Sequence, residues 1–157
     1  MADVEGLKEV QIKMEQVARD IQGNIFRGGM AKATLLVQRD AKRNAPVDRG
    51  PLRASITPEI ISGPTVVQGI VGSNLKYAPY QELGTRPFWP PWRPIYEWAL
   101  RKVRGNRQAA GALAHRARIS IATRGIQAKR FLQRALEDNA EKVYQILGDV
   151  VGKIVEK

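Results

Sequence analysis

A helix that reaches residue 45 of this chain has to end there. The stretch NAPVDRGPLRASI, residues 44–56, sets Pro46 directly after Ala45, and a proline ring disfavours helical geometry at the residue before it. Asp48 can accept hydrogen bonds from backbone N–H groups two or three residues on, Gly50 permits a positive φ, and Pro51 restricts the exit. These residues are predicted to turn a corner. Ahead of them, residues 30–43 are rich in Ala, Leu and Val and read as a helix, with Gly28 and Gly29 breaking the chain before it. Beyond the corner, residues 56–62 and 65–72 are β-branched runs around a Ser62-Gly63-Pro64 turn, the pattern of an antiparallel hairpin.

Both ends of the chain carry apolar seams at helical spacing. Leu7, Val10, Met14, Val17 and Ile21 form one; Leu136, Ala140, Val143, Leu147, Val150 and Ile154 form the other, on a helix predicted over residues 129–155. Each such stripe wants a helix to lie against. Between them, YAPYQELGT, residues 77–85, reads as one short helical turn ended by Gly84. RPFWPPWRPIYEW follows, with five of the ten aromatics of the chain between Phe88 and Trp98. Pro94 suits a first helical residue, Glu97 and Arg101 are spaced as an i,i+4 pair, and Ile95, Trp98 and Ala99 share a face. Gly105 ends that helix, and another, residues 106–122, closes at Gly125. A length of 157 residues without internal repeats suits one domain. The expected fold is α+β: a small antiparallel β-sheet packed with N- and C-terminal helices, residues 1–157 forming a single domain with a helical insertion at about residues 88–125.

Charge is unevenly spread. The net charge is +11, and residues 101–136 hold ten Lys or Arg and no Asp or Glu, leaving +1 on the other 121 residues. Arg101, Lys102, Arg104, Arg107, Arg116 and Arg118 are candidate contacts for DNA phosphates or for an acidic protein, and Trp89, Trp92 and Tyr96 are placed to stack on bases. The bland alternative is a solvated helical face with the aromatics packed beneath the inserted helices. No recognised nucleic-acid motif accompanies the charge.

Catalysis finds little support. Without cysteine there is no disulfide, thiolate metal site or cysteine nucleophile, which suits a reducing cytoplasm. His115, the one histidine, sits in an alanine-rich helical context without partners for a metal site. Ser55, His115 and Asp48 lack the Gly-x-Ser-x-Gly elbow of a hydrolase, and neither Gly28-Gly29 nor residues 69–72 spell a phosphate loop. The expectation is a non-enzyme with no catalytic, cofactor-binding or metal-binding residues and no cofactor. No apolar run approaches the roughly 20 residues of a membrane span, and the N-terminal residues lack a secretory signal's apolar block. A soluble intracellular product with no membrane partner is expected.

Two separated segments read together. APVDRGPLRASI resembles the Ala-Pro-Val-Asp-Thr-Gly-x-Leu-Arg-x-Ser-Ile signature of the tailed-bacteriophage neck and tail-completion protein family, and YAPYQELGT is similar to its Tyr-Ala-x-x-x-Glu-x-Gly-Thr element. KRFLQRALEDN, residues 129–139, resembles its closing Pro-Phe-Leu-x-Pro-Ala-Leu segment. Arg49 stands where Thr is usual, Pro51 where a polar residue is common, and Lys129-Arg130 where Arg-Pro is common; residues 88–125 far exceed the short loop of many members. The resemblance implies a virion subunit at the head–tail junction, assembled in the host cytoplasm. It implies a homo-oligomeric ring, six-fold being one option, that meets neighbouring connector and tail proteins with duplex DNA passing through it. Pro46, Asp48, Gly50, Leu52, Tyr77, Glu82, Gly84, Thr85, Phe131 and Leu132 are its signature residues here, expected to maintain the fold.

Overall fold

The computed structural model describes residues 23–63 and 66–155. Among them are six helices and a two-stranded antiparallel sheet, an α+β arrangement. In chain order these are α1 (Asn24–Asn44), α2 (Pro51–Ser55), β1 (Ile56–Ser62), β2 (Val67–Ser73), α3 (Ala78–Leu83), α4 (Trp92–Lys102), α5 (Arg107–Arg124) and α6 (Phe131–Val155). The seam from Leu7 to Ile21, and Thr65 at the predicted start of the second strand, lie outside the described residues.

Helix α1 begins earlier than the sequence suggests, with Gly28 and Gly29 inside it. A helical glycine costs about 1 kcal/mol against alanine, which weakens a helix without stopping it. Here Gly29 lies against Val150 of α6, whose side chain fills the space a Cβ would need. The far end follows from Pro46: Ala45 is extended at φ −64° and ψ 134°, and its N–H closes the helix onto Ala41 O at 2.9 Å.

A two-stranded hairpin is marginal by itself, and this one lies on α1. Its register runs from Ile56 opposite Ser73 to Ser62 opposite Val67. Ile56, Pro58 and Ile60 alternate inward with exposed Thr57, Glu59 and Ile61. Gln38 Nε2 on α1 donates to Ile56 O at 2.8 Å, fixing helix to strand.

Helix α6 packs along α1. The core between them and the sheet comprises Val37, Ala41, Ala45, Leu52, Ile56, Ala78, Phe131 and Ala135. The inward face of α6 begins with Phe131, Ala135 and Asn139 and continues through half-buried Val143, Leu147 and Val150. At its N-terminal end the predicted seam is therefore rotated: Leu136 is 56% exposed. The physical reason is Phe131, the largest fully buried side chain, which fixes the face at the start of the helix. Ala140 is half-buried, and the side chain of Ile154 lies outside the description.

One polar pair is enclosed in this core. Asn139 Nδ2 donates to Asp40 Oδ2 and to Ala135 O, both at 2.8 Å. Arg39 Nε donates to Asp40 Oδ1 at 3.2 Å, and an Arg43 nitrogen lies 3.5 Å from the same oxygen. The Asn139 bond, with help from Arg39 and Arg43, holds the Asp40 carboxyl below its ordinary value against the opposing effect of burial.

Helices α4 and α5 form an antiparallel hairpin with its own small core. Ala99, Ala110 and Ala114 are fully buried there, flanked by half-buried Ile95, Tyr96, Trp98, Leu100, Val103 and Leu113. Pro94 is the third residue of α4 and not the first; the N–H it lacks is still one that a helix start leaves unpaired. Asn106 caps α5 by accepting from Ala109 N at 3.0 Å.

Candidate functional site

The α4–α5 hairpin leaves the rest of the molecule at one joint, built by the segment around Glu82. Lys129 N donates to Gln81 O at 2.8 Å and Arg130 N to Glu82 O at 3.1 Å. The Glu82 carboxylate accepts from Leu132 N at 3.0 Å and Gln133 N at 2.9 Å, capping the first turn of α6 from another part of the chain. Thr85 and Ile126 bond reciprocally: Thr85 N donates to Ile126 O, and Thr85 Oγ1 accepts from Ile126 N, each at 2.9 Å. Gly84 and Gly125 flank this clasp at φ 78° and 75°, and a Cβ on Gly84 would lie 2.6 Å from Ile126 O. On Gly125 a Cβ would overlap the Thr85 carbonyl. Five signature residues, Glu82, Gly84, Thr85, Phe131 and Leu132, thus meet at one place, with Phe131 reaching on into the core.

Pro46, Asp48, Gly50, Leu52 and Tyr77 gather elsewhere, along an open cleft of about 650 Å³ between the corner and the hairpin. Gly50, at φ 95°, precedes α2, and its carbonyl accepts from Ala54 N at 3.0 Å. Asp48 does not cap the local backbone. Its two oxygens take both arms of Arg101, Nη2 to Oδ2 at 2.5 Å and Nε to Oδ1 at 3.2 Å, tying corner to hairpin across 53 residues of sequence. That bidentate bond holds the Asp48 carboxyl below its usual value, and the charges of Arg101, Lys102 and Arg49 add to it while burial opposes. The same bond raises Arg101. The predicted Glu97–Arg101 pair is accordingly replaced: Glu97 pairs with Arg93 at 3.1 Å, one turn the other way.

The cleft has an apolar floor, including Ile95, Trp98, Ile121 and Ile126, and a basic rim of Arg49, Lys102 and Lys129. The aromatic shelf lies on the hairpin beyond it. Arg118 donates from Nε to Pro90 O at 3.0 Å, and its guanidinium stands 4.7 Å from the Trp89 ring centre and 5.5 Å from that of Trp92. Trp92 stacks on Tyr96 at 5.7 Å. Of the six candidate basic contacts, Arg101 and Arg118 are therefore engaged within the chain. Lys102, Arg104, Arg107 and Arg116 are exposed and form no ion pair among the described residues. The aromatics divide likewise, Trp98 half-buried against the hairpin core and Trp89 62% exposed.

Residues 7–84, about half of the chain, match a protein-family model described as "Bacteriophage HK97-gp10, putative tail-component". Over these residues the chain belongs to the bacteriophage HK97-gp10-like family. No curated protein and no solved structure gives a match. The family region contains the corner, the β-hairpin and α3, and it ends at Gly84, one residue before the clasp. Thr85, the α4–α5 hairpin, Phe131 and Leu132 lie beyond it.

Sequence reasoning passed over Asp40, Asn139 and the ties of Arg101 and Arg118. Asp40 and Asn139 did leave a signal, each being a carboxylate or amide at an inward position of a mostly apolar helix face. The seam drawn through Leu136 set Asn139 one position off the inward stripe. The partners of Arg101 and Arg118 are 53 and 28 residues away and left no local pattern.

Proposed function

We propose that this chain is a structural subunit of the phage head–tail connector, a neck or tail-completion protein that joins head to tail as an oligomeric ring around the DNA path. Membership of a phage tail-component family supports a virion role. The observation that carries the assembly reading is the apolar surface this small fold leaves outside: Tyr80, Leu83, Trp89 and Tyr144 are each more than half exposed, on α3, the shelf and α6. Exposed aromatics of this kind anchor interfaces, where burial against neighbours repays the cost of ordering. The basic rim and the exposed Lys102, Arg104, Arg107 and Arg116 favour a second reading, a DNA-binding adaptor that holds the genome end.

Deleting the gene tests the first reading. DNA-filled heads and finished tails should accumulate unjoined, and purified protein should restore infectious particles on mixing. Complete particles without the protein, or its recovery along the tail shaft alone, refute a role at the junction. Steeply salt-dependent binding of duplex by the parent, lost in Arg104→Glu/Arg107→Glu/Arg116→Glu, would favour the adaptor.

A further inference from the structure

We propose that the basic cleft receives the outer face of α6 from a second copy of this chain, so that one face of each subunit engages a different face of the next. The proposal rests on the ring reading above and specifies its subunit contact. The cleft supplies half of the complementarity: its floor is apolar, its rim carries Arg49, Lys102 and Lys129, and its one carboxylate, Asp48, is already held by Arg101.

The other half is on α6. Four carboxylates of the described residues are used inside the chain: Asp40 by Asn139, Asp48 by Arg101, Glu82 by the α6 N-terminus and Glu97 by Arg93. Of the described acids left over, one, Glu59, is on β1 and four are exposed on α6, at Glu137, Asp138, Glu141 and Asp149; Glu137 accepts only from Gln133 one turn back. Glu137, Glu141, Tyr144, Gly148 and Val151 follow a 4-3-4-3 spacing, so they form one outward stripe opposite the Phe131 face. Tyr144 stands in it, 75% exposed. Two carboxylates followed one turn on by a bare aromatic match a basic rim above an apolar floor, with the ring entering the floor and the acids meeting the rim. Among the described residues no side-chain hydrogen bond or ion pair joins these acids to Arg49, Lys102 or Lys129 within one chain. A contact between unlike faces propagates from copy to copy and closes where the rotation closes.

The absence of cysteine makes the test clean. Val47→Cys, in the cleft, and Gln145→Cys, beside the α6 stripe, leave every proposed contact in place. Mixed and mildly oxidised as full chains, they should give the mixed disulfide as the dominant product. A chain carrying both should give a ladder ending in a closed species. Glu137→Lys/Glu141→Lys should lose that ladder, and adding Arg49→Glu/Lys102→Glu to the same chain should restore it. Dominance of either homodisulfide overturns the proposal. So does an oligomer by light scattering that the α6 reversal leaves intact, in which case the ring stands and another surface builds it. Sensitivity to the cleft reversal alone would assign the cleft to a different acidic protein. A chain that is monomeric in solution and single-copy in purified particles overturns the ring as well.

Discussion

In the body of the molecule, α1, the β-hairpin and α6 enclose Phe131 and Ile56 completely, around a hydrogen-bonded Asp40–Asn139 pair. In the α4–α5 hairpin the fully buried core residues are three alanines, while Trp89 and Trp92 stay at the surface on an arginine. Alanine lets two helices approach closely and contributes little apolar area. The body is thus held by burial between elements distant in sequence, and the hairpin by local helix contacts, a clasp at its base and the Asp48–Arg101 tie. The region with the smaller core leaves Trp89 and Trp92 outside it, whereas the body buries Phe131 and exposes its aromatics only on the outer faces of α3 and α6.

Matched truncations put the contrast at risk. Phe131→Ala removes the largest buried side chain of the body and should cost about 3–5 kcal/mol. Trp92→Ala loses stacking on Tyr96 and contact with Arg118 at the surface, about 1 kcal/mol. Urea melts of the two variants measure both. Equal losses would mean that the aromatic shelf is as structural as the core, and the distinction between the regions would collapse.

In both regions the sequence made backbone limits legible and side-chain partners not. Pro46, the β-branched runs on either side of Ser62-Gly63-Pro64 and the glycines at 84, 105 and 125 act on their immediate backbone, so the helix end, the strands and the limits of the hairpin follow from nearby residues. Side-chain partners depend on which faces meet. Asp48 looked like a local cap, and Arg101 like a partner for Glu97, because local spacing permits both; the bidentate geometry across the cleft supersedes them. On α6 the leucines suggested a face that Phe131 then rotated. The site was half visible: the corner signature drew attention to its wall, while nothing local announced that the hairpin would supply the other.

The polar pair sharpens the comparison, since the hairpin has no buried counterpart among the described residues. Asp40→Ala leaves one Asn139 N–H without its partner in the core, a loss of about 1–3 kcal/mol. The isosteric Asp40→Asn isolates the charge. Because the folded carboxyl titrates below its ordinary value of 3.8, ionised Asp40 stabilises the fold at pH values above the unfolded pKa. That contribution is lost as the pH falls through the folded pKa. The gap in unfolding free energy between parent and Asp40→Asn should accordingly be constant near neutrality and narrow in acid below about pH 4. A gap that is flat with pH, or widens in acid, would show that the charge on Asp40 does not hold α1 to α6.

The smallest effect on the body is expected from the largest deletion. Thr85 and Ile126 are already hydrogen-bonded to each other, so replacing residues 87–123 with a short Gly-Ser linker leaves the clasp and both of its glycines in place. Shortening the connection roughly tenfold lowers the entropy of closing it by about 2 kcal/mol. Against that gain stand the lost Asp48–Arg101 tie, which is partly exposed and therefore weak, and apolar contacts along the cleft floor. The two effects oppose each other, and the shortened chain should unfold cooperatively near the parent's midpoint, having lost the helical circular dichroism of α4 and α5. It should also lose assembly, since half of the cleft is gone. A shortened chain that fails to fold would place the hairpin within the body's cooperative unit. One that folds and still assembles would keep the two-region picture and remove the cleft from the interface.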